Sequence, residues 1–161
     1  MPSDIFARLG DIKGESLDSK HKDEIEVLSY SWGVTNTVPP VVGGGAGAGK
    51  ATFHDLSFVH NIDKASPVLM QACATGTHLK EAIITSRKAG KTQHEYLIFK
   101  FYDIVITGVA PHAATGQPDT GSEMVTLSFA KLDLQYRIQK PDGSAGGTVG
   151  FKYDLTTNKT Y

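Results

Sequence analysis

The feature that most restricts this chain is a hydrophobic period of two that recurs along much of its length. Leu28, Tyr30, Trp32 and Val34 alternate with Ser29, Ser31 and Gly33. That is the pattern of a strand with one large apolar face, turned to a core, and one small polar face turned outward. Leu56, Phe58, His60 and Ile62 repeat it more loosely, and Thr52 to Val59 reads as a strand. From Tyr96 to Val109 both faces are apolar, with Ile98, Tyr102, Ile104 and Ile106 on one and Leu97, Phe99, Phe101 and Val105 on the other. Such a strand needs cover on each side, from a helix or a neighbouring subunit. Between Glu123 and Gln139 the apolar residues change parity, from Val125, Leu127 and Phe129 to Leu132, Leu134, Tyr136 and Ile138. A bulge or corner near Ala130-Lys131 would do this, and barrels close with such devices.

Helix signal is confined to one place. Ser66-Pro67 reads as N-cap and first helical position, Leu69, Ala72 and Cys73 follow at helical spacing, and Gly76 is a stop. The helix is therefore expected over about Ser66–Thr75. Loops are expected at Val38 to Gly49, Ala110 to Ser122, and Lys140-Pro141-Asp142-Gly143. The fold class is mainly β: a small barrel of two antiparallel sheets with one short flanking α-helix, in a single domain spanning 1–161. With 17 glycines against 7 prolines, turns and bulges are plentiful.

Several kinds of chemistry are disfavoured. Sixteen basic and 17 acidic residues give a net charge of −1, which supplies no bulk basic face for nucleic acid. The apolar run around Tyr96 to Val109 carries Lys100 and Asp103 and is too short to span a bilayer as a helix, so no membrane insertion is expected. The N-terminal residues show no ordinary signal peptide. Gly44 to Lys50 follows the phosphate-loop spacing, but Ala51 stands where the magnesium-holding hydroxyl belongs, and a strand rather than a helix is expected to follow. His54 and His60 lie too far apart along a strand to share an ion, and His78, His94 and His112 are scattered. Cys73, the sole cysteine, falls on the apolar stripe of the helix and reads as a buried, inert thiol. No catalytic, cofactor or metal residues are assigned, and the chain is not read as an enzyme.

The order of certain segments carries a resemblance. Gly14-Glu15-Ser16, Glu24 to Gly33, Asp55-Leu56-Ser57-Phe58, Asp63 to Pro67 leading into Leu69 to Cys73, Arg87 to Gly90 before Glu95-Tyr96-Leu97, and Val125 to Ala130 together resemble the haemolysin-coregulated protein (Hcp) family of bacterial type VI secretion. The resemblance covers nearly the whole chain. It implies a phage tail-tube-like barrel that assembles as hexameric rings, stacks into a tube and is expelled by sheath contraction behind a spike protein. The lumen can hold and stabilise small effectors. The implied partners are copies of the chain itself, spike and sheath proteins, and effectors. The implied location is cytoplasmic before firing and secreted afterwards, without a cleaved signal. A phage tail-tube-like protein and a monomeric ligand-binding barrel are the alternative readings.

Within the family a serine at the position matching Ser31 lies on the lumen wall and influences effector loading. Strand parity turns Ser31 and Ser29 outward together, so both are expected to line the lumen. The loop carrying Val38, Gly43, Gly44, Gly45, Gly47, Gly49 and Lys50 is expected to reach a neighbouring ring and to order on stacking. Its glycines make that ordering entropically costly.

Overall fold

The computed structural model describes residues 3–37, 50–90, 92–117 and 120–161. In chain order these form β1 (Ser3–Leu9), β2 (Ile25–Ser31), β3 (Val34–Thr37), β4 (Lys50–Phe53), β5 (Leu56–Asn61), α1 (Ala65–Thr75), β6 (His78–Lys88), β7 (His94–His112), β8 (Ser122–Ser128), β9 (Lys131–Gln139), β10 (Ala145–Asp154) and β11 (Lys159–Thr160). Pairing runs β7-β6-β1-β2-β5-β8 and returns to β7, closing a six-strand barrel. The strands β9, β10 and β11 extend the sheet beyond β7, and β3–β4 is a separate hairpin.

β7 makes this architecture. It is 19 residues long. Its first half lies between β6 and β9, and its second half runs on to β8. The expectation that it is buried on both faces needs correction. Asp103 adopts φ 52°, and the inward positions switch there from Phe99 and Phe101 to Ile104 and Ile106. One face supplies the core below the kink and the other supplies it above. The parity change after β8 is a corner that carries the chain out of the barrel into β9. Ala130 N–H donates to Tyr102 O, and Ala130 O accepts from Leu155 N–H there. Closure itself is made by the β7–β8 pairing.

Smaller departures have equally local causes. Thr52 to Val59 is two strands, broken at His54-Asp55, not one. Ala110 to His112 belong to β7 and not to the following loop. Ser66 is not the N-cap: α1 starts at Ala65, and the Asp63 carboxylate accepts from Ala65 N–H at 2.8 Å. Gly76 ends the helix in the left-handed conformation, φ 64°, as its position suggested. Cys73 is half-buried against the core rather than fully enclosed. His60 is fully buried, and its Nε2 lies 2.9 Å from Glu123 on β8.

The outer face of β1 is covered by the chain itself. Phe6 points away from the barrel core and stacks under His21 at 4.3 Å, with the Arg87 guanidinium 4.9 Å from the ring centre. Residues 10–24 form the strap that brings His21 there. His21 bridges Glu24 at 2.7 Å and Glu95 at 2.8 Å, and Arg87 donates to Asp18 at 2.6 and 3.1 Å and to Asp4 at 3.0 Å. Gly14 is required in the strap because a Cβ there would meet Glu24 O at 2.5 Å.

Arg87 holds the Asp18 carboxyl well below the usual carboxylate range. The ionised pair therefore contributes fully above the unfolded pKa of about 3.9, and the contribution is lost as pH falls below it. Asp18→Asn should cost about 1–3 kcal/mol at neutral pH, with the gap to wild type narrowing below about pH 4. Urea denaturation at fixed protein concentration across that range checks this; a gap that stays constant would contradict it.

Candidate functional site: an uncharged sheet face beside an apolar arm

Four strands of the barrel, β2, β5, β8 and the upper half of β7, present one continuous outer face. Register builds it row by row. Ser31 lies opposite Ser57, which lies opposite Thr126, which lies opposite Gly108. The next row runs Ser29, Val59, Met124, Ala110, and a third joins Asn61, Ser122 and His112. Ser57 and Thr126 share a hydroxyl–hydroxyl hydrogen bond at 3.2 Å. None of these residues is Asp, Glu, Lys or Arg, in a chain where charged residues make up 20%; exposed Glu26 of β2, near Asn61, borders the face.

The outer face of the other half is the opposite in character. Across β7, β9 and β10, Lys100 lies opposite Asp133, which lies opposite Lys152, and the next row runs Tyr102, Lys131, Asp154. Lys131 and Lys152 both approach the Tyr161 ring, at 5.4 and 5.7 Å. Charges of alternating sign are how an exposed sheet normally stays soluble. The uncharged face lacks that device.

Ser29 and Ser31 are both exposed on β2, as parity suggested. The same parity placed Leu28 inward, and it is 58% exposed. A bulge between Val27 and Ser29 shifts the register against β5, so Ile25 and Val27 fill the core above it and Tyr30 and Trp32 below. Val34 is exposed too, because it belongs to β3 and not to the barrel. Lys50 opens β4 opposite Thr37. Val38, Gly43, Gly44, Gly45, Gly47 and Gly49 lie outside the described residues.

A second exposed surface was not foreseen as a unit. On the inner side of the β9–β10 hairpin, Tyr136 lies opposite Val149 and Leu134 opposite Phe151. Val149 is 62% exposed, Tyr136 and Ile138 43% each. Higher on β10, Tyr153 is covered by Phe53 at 4.5 Å, which in turn meets Trp32. The arm is thus anchored at one end and, among the described residues, presents unpartnered apolar side chains at the other. Among the described residues only β11 pairs along the other edge of β10, at Tyr153 and Asp154. The alternation of Leu134, Tyr136 and Ile138 was visible in the sequence, but without the sheet order nothing distinguished an exposed arm from a core strand.

The histidines have separate partners: His54 with Thr35, His60 with Glu123, and His94 with the carbonyl of Arg137. Among the described residues no group of three or more His, Cys, Asp or Glu is placed to hold a metal ion. No helix among them is long and apolar enough to cross a membrane.

Comparison with known proteins agrees with the barrel fold. Residues 6–136 match the family model described as type VI secretion system effector, Hcp. Protein hcp1 of Pseudomonas aeruginosa is 42% identical over 160 residues, 98% of either chain. The crystal structure of Hcp1 from Salmonella typhimurium superposes with a TM-score of 0.81 at 37% identity, covering 100% of both chains. A structure titled as a type six secretion system protein reaches 0.94 at 28% identity, covering 99% of this chain and 100% of that one.

Proposed function

This chain belongs to the Hcp family of type VI secretion, a structural and secreted family rather than one of enzymes, and from that premise we propose that it is an inner-tube subunit. Copies close into hexameric rings, and the rings stack into a tube that sheath contraction drives out behind a spike protein. The lumen carries small effector proteins. The observation that best supports the reading is the uncharged face around Ser29 and Ser31. Charges on a lumen wall would bind oppositely charged cargo or resist like-charged cargo, whereas small hydroxyl-bearing side chains do neither strongly. Six copies with these faces turned to a common axis would line a neutral bore.

A cyclic ring needs two different surfaces that fit one another, because each copy contacts one neighbour with one face and the other neighbour with another. The inner side of the β9–β10 arm is suited to be one of them. Its exposed Tyr136, Ile138, Val149 and Phe151 form an apolar patch of the kind that marks an interaction site. In the ring the arm laps onto the flank of the next barrel. The loop from Val38 to Lys50 then belongs to the ring-to-ring contact.

Two variants separate these roles. Ser31→Gln should lower the co-stability of a lumenal cargo protein and leave ring mass unchanged, as read by thermal denaturation of co-purified cargo beside light scattering. Loss of rings in that variant would assign Ser31 to a subunit interface instead. Val149→Lys should convert rings to folded monomers, because burying an unpaired lysine costs several kcal/mol per contact. Intact rings in Val149→Lys would remove the arm from the interface.

A further inference from the structure

Resting on the ring reading, we propose that Met124 is the anchoring contact for lumenal cargo and that the cargo it recognises offers an uncharged, apolar patch. Met124 is 49% exposed and stands on the uncharged face between Val59 on β5 and Ala110 on β7. Its flanking partners on the face are short: Thr126 and Ser122 on its own strand, Ser29 one strand beyond Val59. It is therefore the one long, flexible side chain in the middle row. A methionine thioether is polarizable and samples many rotamers, so it fits differently shaped apolar partners. Surfaces that accept several partners use it for that reason. The row supplies no charge to orient a ligand, so recognition comes from apolar burial around Met124, with the hydroxyls of Ser29 and Ser57 at its margin.

Contacts of this kind are weakly screened by salt, unlike those made by charged groups. They also depend on the apolar character of the Met124 tip more than on its length. Met124 is outward-facing, so its substitution leaves the core intact.

The test uses the intact protein with three synthetic peptides of equal length: an uncharged one bearing leucine and phenylalanine, an acidic one and a basic one. Binding is read by fluorescence anisotropy at low and high ionic strength, with oligomer mass measured in parallel. The uncharged peptide should bind best and with little salt dependence. Met124→Leu should retain it, while Met124→Gln and Met124→Lys should each weaken it by about tenfold, equivalent to ~1.4 kcal/mol, at unchanged oligomer mass. Preference for a charged peptide, or full binding by Met124→Lys, would overturn the proposal while rings persist. If the wild-type protein is a monomer, the ring reading fails: Met124-dependent binding by that monomer would keep the contact, and its absence would remove both.

Discussion

The rest of the structure depends on one strand serving two sheets. β7 pairs with β6 and β9 over its lower half and with β8 over its upper half, and the barrel closes because β7 pairs with both β6 and β8. Apolar side chains on both faces would be a liability in a strand of constant phase. The left-handed residue at Asp103 resolves this by turning Phe99 and Phe101, then Ile104 and Ile106, into the same core. The cost of that backbone conformation is of order 1 kcal/mol, small against the burial of four large side chains at about 1.5–3 kcal/mol each. Because β7 leaves its lower half free for β9, the hairpin β9–β10 can project as an arm without opening the barrel.

That division separates two chemistries. Where β7, β9 and β10 face outward, lysines and aspartates alternate across the strands, and the strap over Phe6 is locked by Arg87 and His21. Where β2, β5 and β8 face outward from Ser29 and Asn61 onward, hydroxyls and apolar groups take the place of charge, and exposed Glu26 marks the border of that region. A protein that acted alone would have little reason to strip charge from one exposed sheet face. A subunit that turned this face to a shared bore would gain a wall that neither traps nor repels charged contents. The exposed apolar arm makes the same argument for self-association, since no described residue covers side chains such as Val149.

Much of this was legible in the sequence. Period-two alternation identified the strands, Gly76 marked the helix end, and the parity change at Ala130-Lys131 marked the corner. The outward placement of Ser29 and Ser31 also followed from parity. Bulges defeated the same argument elsewhere: Leu28 is exposed because an extra residue in β2 resets the phase, and Asp103 does this within β7. A bulge leaves little trace in an apolar pattern, since the residues on either side remain good strand formers. The uncharged face escaped the reading because it is assembled from four strands, and each contributes only a few small residues. Only strand order and register bring Ser31, Ser57 and Thr126 into one row. The strap was invisible for a similar reason: Asp18 and Arg87 are distant in sequence and meet only across the fold.

The most direct measurement is the mass of the purified protein by light scattering after gel filtration, together with negative-stain images of the peak. The account predicts hexameric rings with an open centre. A monodisperse monomer at every concentration would contradict it, and would leave the uncharged face and the apolar arm without the common purpose assigned to them.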